Sequence, residues 1–285
     1  MAIRTVGVLG CGLMGSGIAQ VAAQAGYPTI VREVDQALLD KGFDRIRKFL
    51  DKGIEKGKVT PEVKAKTLAN LKGTTKVEDL AGCDIVIEAI IENLDDKKKT
   101  YAAVEAVVGQ HTLLASNTSS LCITELAATT RRPDRFVGMH FFNPVPLMKL
   151  VEVVKGLATA EAHFKTAYDF AVSLGKDAVV APDRPGFIVN RLLVPYLLDA
   201  IRAYENGLGT VEDIDKGMAL GCGYPMGPFT LLDYVGIDTT YYIAEIMFAE
   251  FKAPMYAAPP LMKRMVLAGH WGRKTGRGFY DYSGT

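Results

Sequence analysis

A glycine-rich turn and one histidine are the features of this sequence whose residue types and spacing could do chemistry. The turn is Gly10-Cys11-Gly12-Leu13-Met14-Gly15, a G-x-G-x-x-G pattern. It follows a short β-branched, apolar run over residues 3–9. It opens a run with helical spacing through Leu13, Ile18, Val21, Ala22 and Ala25, which Gly26 ends. In that setting Gly10 permits a tight turn, Gly12 lets backbone N–H groups approach a pyrophosphate, and Gly15 lets helix and strand pack closely. The helix N-terminus adds free N–H donors and a positive dipole end. Gly10, Gly12, Leu13, Met14 and Gly15 are therefore candidate cofactor-binding residues. Glu33 ends the next strand-like run, over residues 28–34, about 20 positions on, where a carboxylate accepts hydrogen bonds from an adenosine ribose. Its charge would repel the extra phosphate of NADP, so the cofactor expected is NAD. Arg32 could accept that phosphate, but strand alternation puts it on the opposite face.

The chain has four histidines. His111, His163 and His270 lie among polar or loop-forming residues and read as surface groups. His140 lies in Phe136-Val137-Gly138-Met139-His140-Phe141-Phe142-Asn143-Pro144-Val145-Pro146, an apolar strand running into a loop with two prolines. A histidine there loses water and needs a partner. Oxidation of an alcohol by hydride transfer requires removal of the hydroxyl proton, and an imidazole can take it near neutral pH. A second polar residue out of place is Glu152, inside Leu150-Val151-Glu152-Val153-Val154. A carboxylate in an apolar strand is costly unless it too is partnered.

The elements that must hold these groups follow an alternating pattern. Further strand-like runs fall at 84–91, 112–117, 136–142, 150–154 and 178–181, with helical stretches between most of them. This predicts an α/β fold: an N-terminal Rossmann-type, doubly wound, largely parallel sheet. Residues 35–83 interrupt the rhythm with a mostly helical excursion, a hairpin at about 36–72, without a convincing strand. After Ala181-Pro182-Asp183-Arg184-Pro185-Gly186, a linker by composition, apolar helical segments run at 187–204, 211–220, 230–251 and 260–268. The expected organisation is a dinucleotide-binding domain over 1–183 and an all-helical C-terminal domain over 184–285.

Composition narrows the class. The 285 residues are 49% hydrophobic and 23% charged with a net charge of +1, which argues against long disorder and against bulk nucleic-acid affinity. No apolar run approaches the ~18–20 residues needed to span a bilayer. The first residues lead straight into a strand without a signal-peptide pattern, so a cytoplasmic protein is the simplest expectation. Cys11, Cys83, Cys122 and Cys222 are scattered without C-x-x-C spacing, so neither a disulfide framework nor a metal site is expected.

Several longer motifs carry a family resemblance. Ser116-Asn117-Thr118-Ser119-Ser120 and Met139-His140-Phe141-Phe142-Asn143-Pro144-Val145-Pro146 resemble those of L-3-hydroxyacyl-CoA dehydrogenases. So do Pro185-Gly186-Phe187-Ile188-Val189-Asn190-Arg191, Gly223-Tyr224-Pro225-Met226-Gly227-Pro228 and Gly272-Arg273-Lys274-Thr275-Gly276-Arg277-Gly278. The similarity runs nearly end to end and looks closest to free-standing bacterial 3-hydroxybutyryl-CoA dehydrogenases. It implies NAD-dependent interconversion of (S)-3-hydroxyacyl-CoA and 3-oxoacyl-CoA, with 3-hydroxybutyryl-CoA and acetoacetyl-CoA as substrates, in a homodimer. By position, the resemblance gives His140 the acid–base role and Glu152 the role of its partner. Ser119 and Asn190 would contact substrate oxygens, and Glu92, Lys97, Asn117 and Asn143 the nicotinamide side of the cofactor. Aspartate is more usual in the family at the position of Glu33, preceded by an apolar residue where this chain has Arg32.

The helical excursion is basic: residues 41–76 hold eleven lysines and arginines against four acids. By itself this fits a solvated lysine-rich hairpin. Lys52 and Lys56, four apart and so on one helix face, also match family positions near the coenzyme A moiety, whose phosphates would suit them. No interleaved aromatics support a nucleic-acid partner.

Overall fold

The computed structural model describes residues 2–284. The chain divides into two compact units at Arg184–Pro185. The first contains one eight-stranded sheet in the order β3-β2-β1-β4-β5-β6-β7-β8. Its strands are β1 Val6–Leu9, β2 Thr29–Arg32, β3 Leu71–Thr74, β4 Ile85–Glu88, β5 Leu113–Ser116, β6 Phe136–Phe141, β7 Leu150–Lys155 and β8 Asp177–Pro182. Every neighbouring pair is parallel except β6–β7, so the largely parallel Rossmann-type sheet expected from the alternating pattern is present. The central strands β1, β4 and β5 are buried at every residue, as strands covered on both faces must be.

Helices α1 (Leu13–Gln24), α4 (Leu94–Glu105), α5 (Ile123–Ala128) and α6 (Glu161–Ser173) connect these strands. The excursion after β2 is a helical hairpin of α2 (Gln36–Glu55) and α3 (Pro61–Ala69). The Asp35 side chain accepts from Leu38 N–H and starts α2; Thr60 accepts from Val63 N–H and starts α3, with Pro61 in its first turn. One expectation fails here. The stretch 35–83 does contain a strand, β3, parallel to β2 at the sheet edge. Its sequence, Leu71-Lys72-Gly73-Thr74, is polar and mostly exposed because only one side of an edge strand is covered.

The second unit is helical: α7 (Val189–Glu205), α8 (Val211–Cys222), α9 (Pro228–Val235), α10 (Ile237–Phe251) and α11 (Pro260–Leu267). The single helical segment expected over 230–251 is two helices. Gly236 between them has φ +106°, outside the helical region and strained for any residue with a Cβ. Two buried aspartates organise this unit. Asp215 accepts from Phe229 N–H (2.7 Å), from Thr230 N–H and Oγ1 (2.9 and 2.6 Å), and from Tyr280 OH (2.9 Å). Asp233 accepts from Phe279 N–H and Tyr280 N–H (both 2.9 Å) and from Tyr282 OH (3.1 Å). The C-terminal segment is thereby strapped onto the helices. A Cβ at Gly278 would lie 1.9 Å from Asp233 Oδ1, so only glycine lets the strap lie this close. Among the described residues no helix is long and apolar enough to cross a membrane.

Candidate active site

The carboxyl ends of β1, β2, β4, β5 and β6 carry three polar constellations, and each is built by local structure. The first is the glycine-rich turn between β1 and α1. Gly10 has φ +89°, and a Cβ there would meet Ala89 O at 2.7 Å. A Cβ at Gly15 would lie 2.0 Å from Gly10 O, so the close strand–helix contact demands glycine. Gly12 is exposed with nothing within 4 Å of a Cβ position, and α1 starts there without a side-chain cap. The turn therefore has one open side, onto which the first amides of α1 face. Glu33 lies beside it. Its Oε2 accepts from Cys11 N–H (2.7 Å) and its Oε1 from Val34 N–H (2.7 Å), which fixes a carboxylate at the end of β2. Burial, reinforced by Glu33 and opposed by Arg45, pushes the Cys11 thiol up to about 12. At neutral pH Cys11 is thus a space-filling thiol rather than a nucleophile.

The second constellation is an ion network under the ends of β4 and β5. Glu88, fully buried at the end of β4, accepts from Lys97 Nζ (2.5 Å), Ser116 Oγ (2.7 Å), Ile90 N–H (2.8 Å) and Tyr101 OH (3.3 Å). Lys97 is buried too and reaches Glu92 at 3.2 Å. Glu92 in turn accepts from Thr118 Oγ1, from Ser119 N–H (3.0 Å) and from Ser120 Oγ (3.1 Å). Burial works to raise the Glu92 carboxyl, but the Lys97 ammonium and these donors outweigh it and hold it below the usual range. Glu92, Lys97 and the loop bearing Ser119 are thus joined in one chain of charge-assisted hydrogen bonds.

The third is the histidine. His140 on β6 and Glu152 on β7 are register partners across the antiparallel ladder. The Nδ1 of His140 lies 2.7 Å from Glu152 Oε2, and the side chains are 7% and 0% exposed. Residues directly opposite in an antiparallel pair project to the same face, so register alone delivers this contact. The imidazole also stacks at a tilt on Phe142, centroids 4.4 Å apart. Asn117, after β5, accepts from Phe141 N–H (2.9 Å) and ties β5 to β6 beside this pair. Asn143 follows on the loop after β6 and lines a cavity of about 50 Å³ with Leu13, Ser16, Gly17, Arg45 and Phe49.

The remaining candidates are on other elements. Lys52 is exposed in the last turn of α2, and Lys56 is the residue that caps that helix rather than one within it; its N–H donates to Lys52 O (3.2 Å). Asn190 sits in the first turn of α7 in the second unit, three residues after Phe187, whose φ is +46°. Glu88 and Arg45 were not among the candidates. Glu88 had a legible signal, a carboxylate closing the apolar run Ile85-Val86-Ile87, the same anomaly as Glu152. Arg45 had none, being one cation in a basic helix.

Comparison with known proteins adds a lineage to this geometry. Residues 5–184 match the family model for the NAD binding domain of 3-hydroxyacyl-CoA dehydrogenase, and residues 186–282 match the model for its C-terminal domain. The chain is 50% identical over 283 residues to a 3-hydroxybutyryl-CoA dehydrogenase of Mycobacterium tuberculosis, covering 99% of both chains. It is 46% identical over 288 residues to the mitochondrial hydroxyacyl-coenzyme A dehydrogenase of Homo sapiens, covering 98% of this chain and 91% of that one. The crystal structure of (S)-3-hydroxybutyryl-CoA dehydrogenase from Ralstonia eutropha superposes with a TM-score of 0.95 at 46% identity, covering 99% of each chain.

Proposed function

Because this chain belongs to the 3-hydroxyacyl-CoA dehydrogenase family and is an NAD-dependent oxidoreductase, we propose that His140 and Glu152 form its acid–base pair. The observation that carries this reading is the buried 2.7 Å contact between His140 Nδ1 and Glu152 Oε2. An imidazole whose Nδ1 faces a carboxylate exchanges protons with a hydroxyl through Nε2. In the oxidative direction His140 takes the proton of the 3-hydroxyl, and Glu152 stabilises the imidazolium that forms. In reduction His140 returns the proton to the oxygen at C3.

The first unit fits a dinucleotide on its own residues: the open side of Gly12, the uncapped start of α1, and the Glu33 carboxylate fixed at the end of β2 for an adenosine ribose. The bound NAD supplies the acceptor for the hydrogen lost from C3. Glu92, Asn117 and Asn143 line the nicotinamide side in this reading, and Lys97, which is buried, serves that side through its bond to Glu92. The Glu88–Lys97–Glu92 chain supports it by fixing the Ser119 loop, from which Ser119 orients the substrate oxygen. Asn190 keeps the substrate-oxygen role that the resemblance gives it. The substrate in this reading is an acyl-CoA ester, 3-hydroxybutyryl-CoA first, with Lys52 and Lys56 toward the coenzyme A phosphates, and the enzyme works as a homodimer.

The test is NADH oxidation dependent on acetoacetyl-CoA, in the wild-type chain and in His140→Gln. The variant should bind NADH normally and lose turnover by ~10²–10⁴-fold, the range for an acid–base group. Wild-type-like turnover by His140→Gln would remove the histidine from the mechanism. No acetoacetyl-CoA-dependent oxidation by the wild type would remove the substrate class.

A further inference from the structure

The basic helix α2 is seated directly on the glycine-rich turn. A Cβ at Gly42 would lie 2.2 Å from Cys11 Sγ and 2.4 Å from Cys11 O, so helix and turn are in backbone contact at this glycine. One turn further along α2, Arg45 reaches the same peptide. Its NH1 donates to Cys11 O at 3.2 Å and to Ser16 Oγ at 3.3 Å. Ser16 lies in the first turn of α1, so one guanidinium touches both the turn and the start of the helix that follows it.

We propose that Arg45 is a positioning residue of the dinucleotide site, holding the Cys11 carbonyl against α2 so that the Gly12 amide is aimed at the ligand's pyrophosphate. The inference rests on the NAD reading of this unit and deepens it. A trans peptide is planar with its N–H opposite its C=O. Clamping the Cys11 carbonyl toward α2 therefore turns the Gly12 N–H the other way. Gly12 itself is exposed, and nothing lies within 4 Å of a Cβ position there, so a ligand can come up to this residue. Cys11 is then held at both ends of its backbone, its N–H by Glu33 Oε2 and its C=O by Arg45. Glycine turns are otherwise free to reorient their peptides, and a ligand binding to such a turn must order it first. α1 has no side-chain cap, so its first amides keep free donors for a ligand, and Arg45 fixes the peptide that leads into them from outside. Both bonds of Arg45 leave from one guanidinium nitrogen, NH1, whose two N–H directions are fixed in the plane of the group, whereas a lysine ammonium turns freely on its stem.

The experiment is fluorescence titration of NADH, with ADP-ribose and adenosine by calorimetry, on the full chain and on Arg45→Met and Arg45→Lys. Arg45→Met should weaken NADH and ADP-ribose by ~10-fold, about the worth of one hydrogen bond involving a charged group, and leave adenosine unchanged. Arg45→Lys, the variant to rely on if Arg45→Met folds poorly, should restore only part of the loss, equally at low and high salt. Three results would overturn the proposal: wild-type NADH affinity in Arg45→Met, full recovery by Arg45→Lys (charge alone), or adenosine weakened as much as ADP-ribose (general damage). A wild-type chain that binds no NADH would overturn the dinucleotide reading itself, and the inference with it.

Discussion

Glu152→Gln removes one charge from the His140 contact while keeping an oxygen of the same shape in the same place. Its cost can be worked from the geometry. With Nδ1 and Oε2 2.7 Å apart, the centres of an imidazolium and a carboxylate lie about 4 Å apart, worth ~4 kcal/mol at an effective dielectric of ~20. A ring that acts as the base gains far less from that charge before it takes the proton than after, so most of the loss falls where positive charge develops during proton uptake. At ~1.4 kcal/mol per decade, kcat for 3-hydroxybutyryl-CoA oxidation should drop by ~10²–10³-fold. The glutamine still accepts from the ring N–H, so stability should fall by only ~1 kcal/mol, a few degrees in Tm. The assay is NADH appearance with 3-hydroxybutyryl-CoA and NAD, beside NADH titration and a thermal melt of the same sample. A kcat within threefold of wild type would refute the electrostatic role. A loss that tracks the unfolded fraction, or that appears as weaker NADH binding, would make Glu152 a structural residue instead.

Glu33→Ser should narrow the ratio of NAD to NADP efficiency by about tenfold or more through loss of charge repulsion; because the same carboxylate holds Cys11 N–H, efficiency with NAD should also fall, and an unchanged ratio would mean that the ribose is read elsewhere. Lys52→Ala/Lys56→Ala should raise KM for acetoacetyl-CoA and leave that for NADH nearly unchanged; the effect should shrink at high salt, where the Debye length falls below ~10 Å, and with a pantetheine thioester lacking the adenosine phosphates, while an equal penalty for both esters would leave these lysines as a solvated face. Burial raises the Asp233 carboxyl despite the donors from Tyr280, Phe279 and Tyr282. The folded chain therefore holds this proton above the ordinary aspartate range, and the stability this contributes is lost as pH rises through that raised value. The Tm advantage of wild type over Asp233→Asn should accordingly shrink as pH rises from about 4, and an advantage that grows over that range would reverse the sign of the argument.

What could be read from the sequence, and what could not, divides on whether a signal is local. The glycine turn, the strand after it and Glu33 form one βαβ unit, and their spacing is set by a single turn, helix and strand. His140 and Glu152 were each legible as polar residues out of place in apolar strands, yet nothing local says that β7 runs antiparallel to β6, the one reversal in the sheet and the reason the two side chains meet. β3 escaped because an edge strand needs no apolar run, and Gly236 escaped because a glycine inside an apolar helical pattern is usually tolerated. Arg45 is invisible in sequence for a different reason. Its meaning comes from Gly42 lying against Cys11, a contact between residues 31 positions apart.

The reversal at β7 also bears on how the chain folds. β6 and β7 are joined only by residues 142–149 and form an antiparallel pair, the kind of contact that closes early because little chain must be ordered first. His140 and Glu152 therefore need only this one pairing to meet, and none of the parallel strands from distant parts of the chain. A slip of one residue would set Val151 or Val153 opposite His140 and turn Glu152 to the other face of the sheet, together with every apolar residue of β7. β7 is buried on both faces, so the cost of such an error is a buried Glu152 carboxylate carried away from His140. Loss of the pair's register is thus a loss of stability as well as of the site, because the same carboxylate serves both.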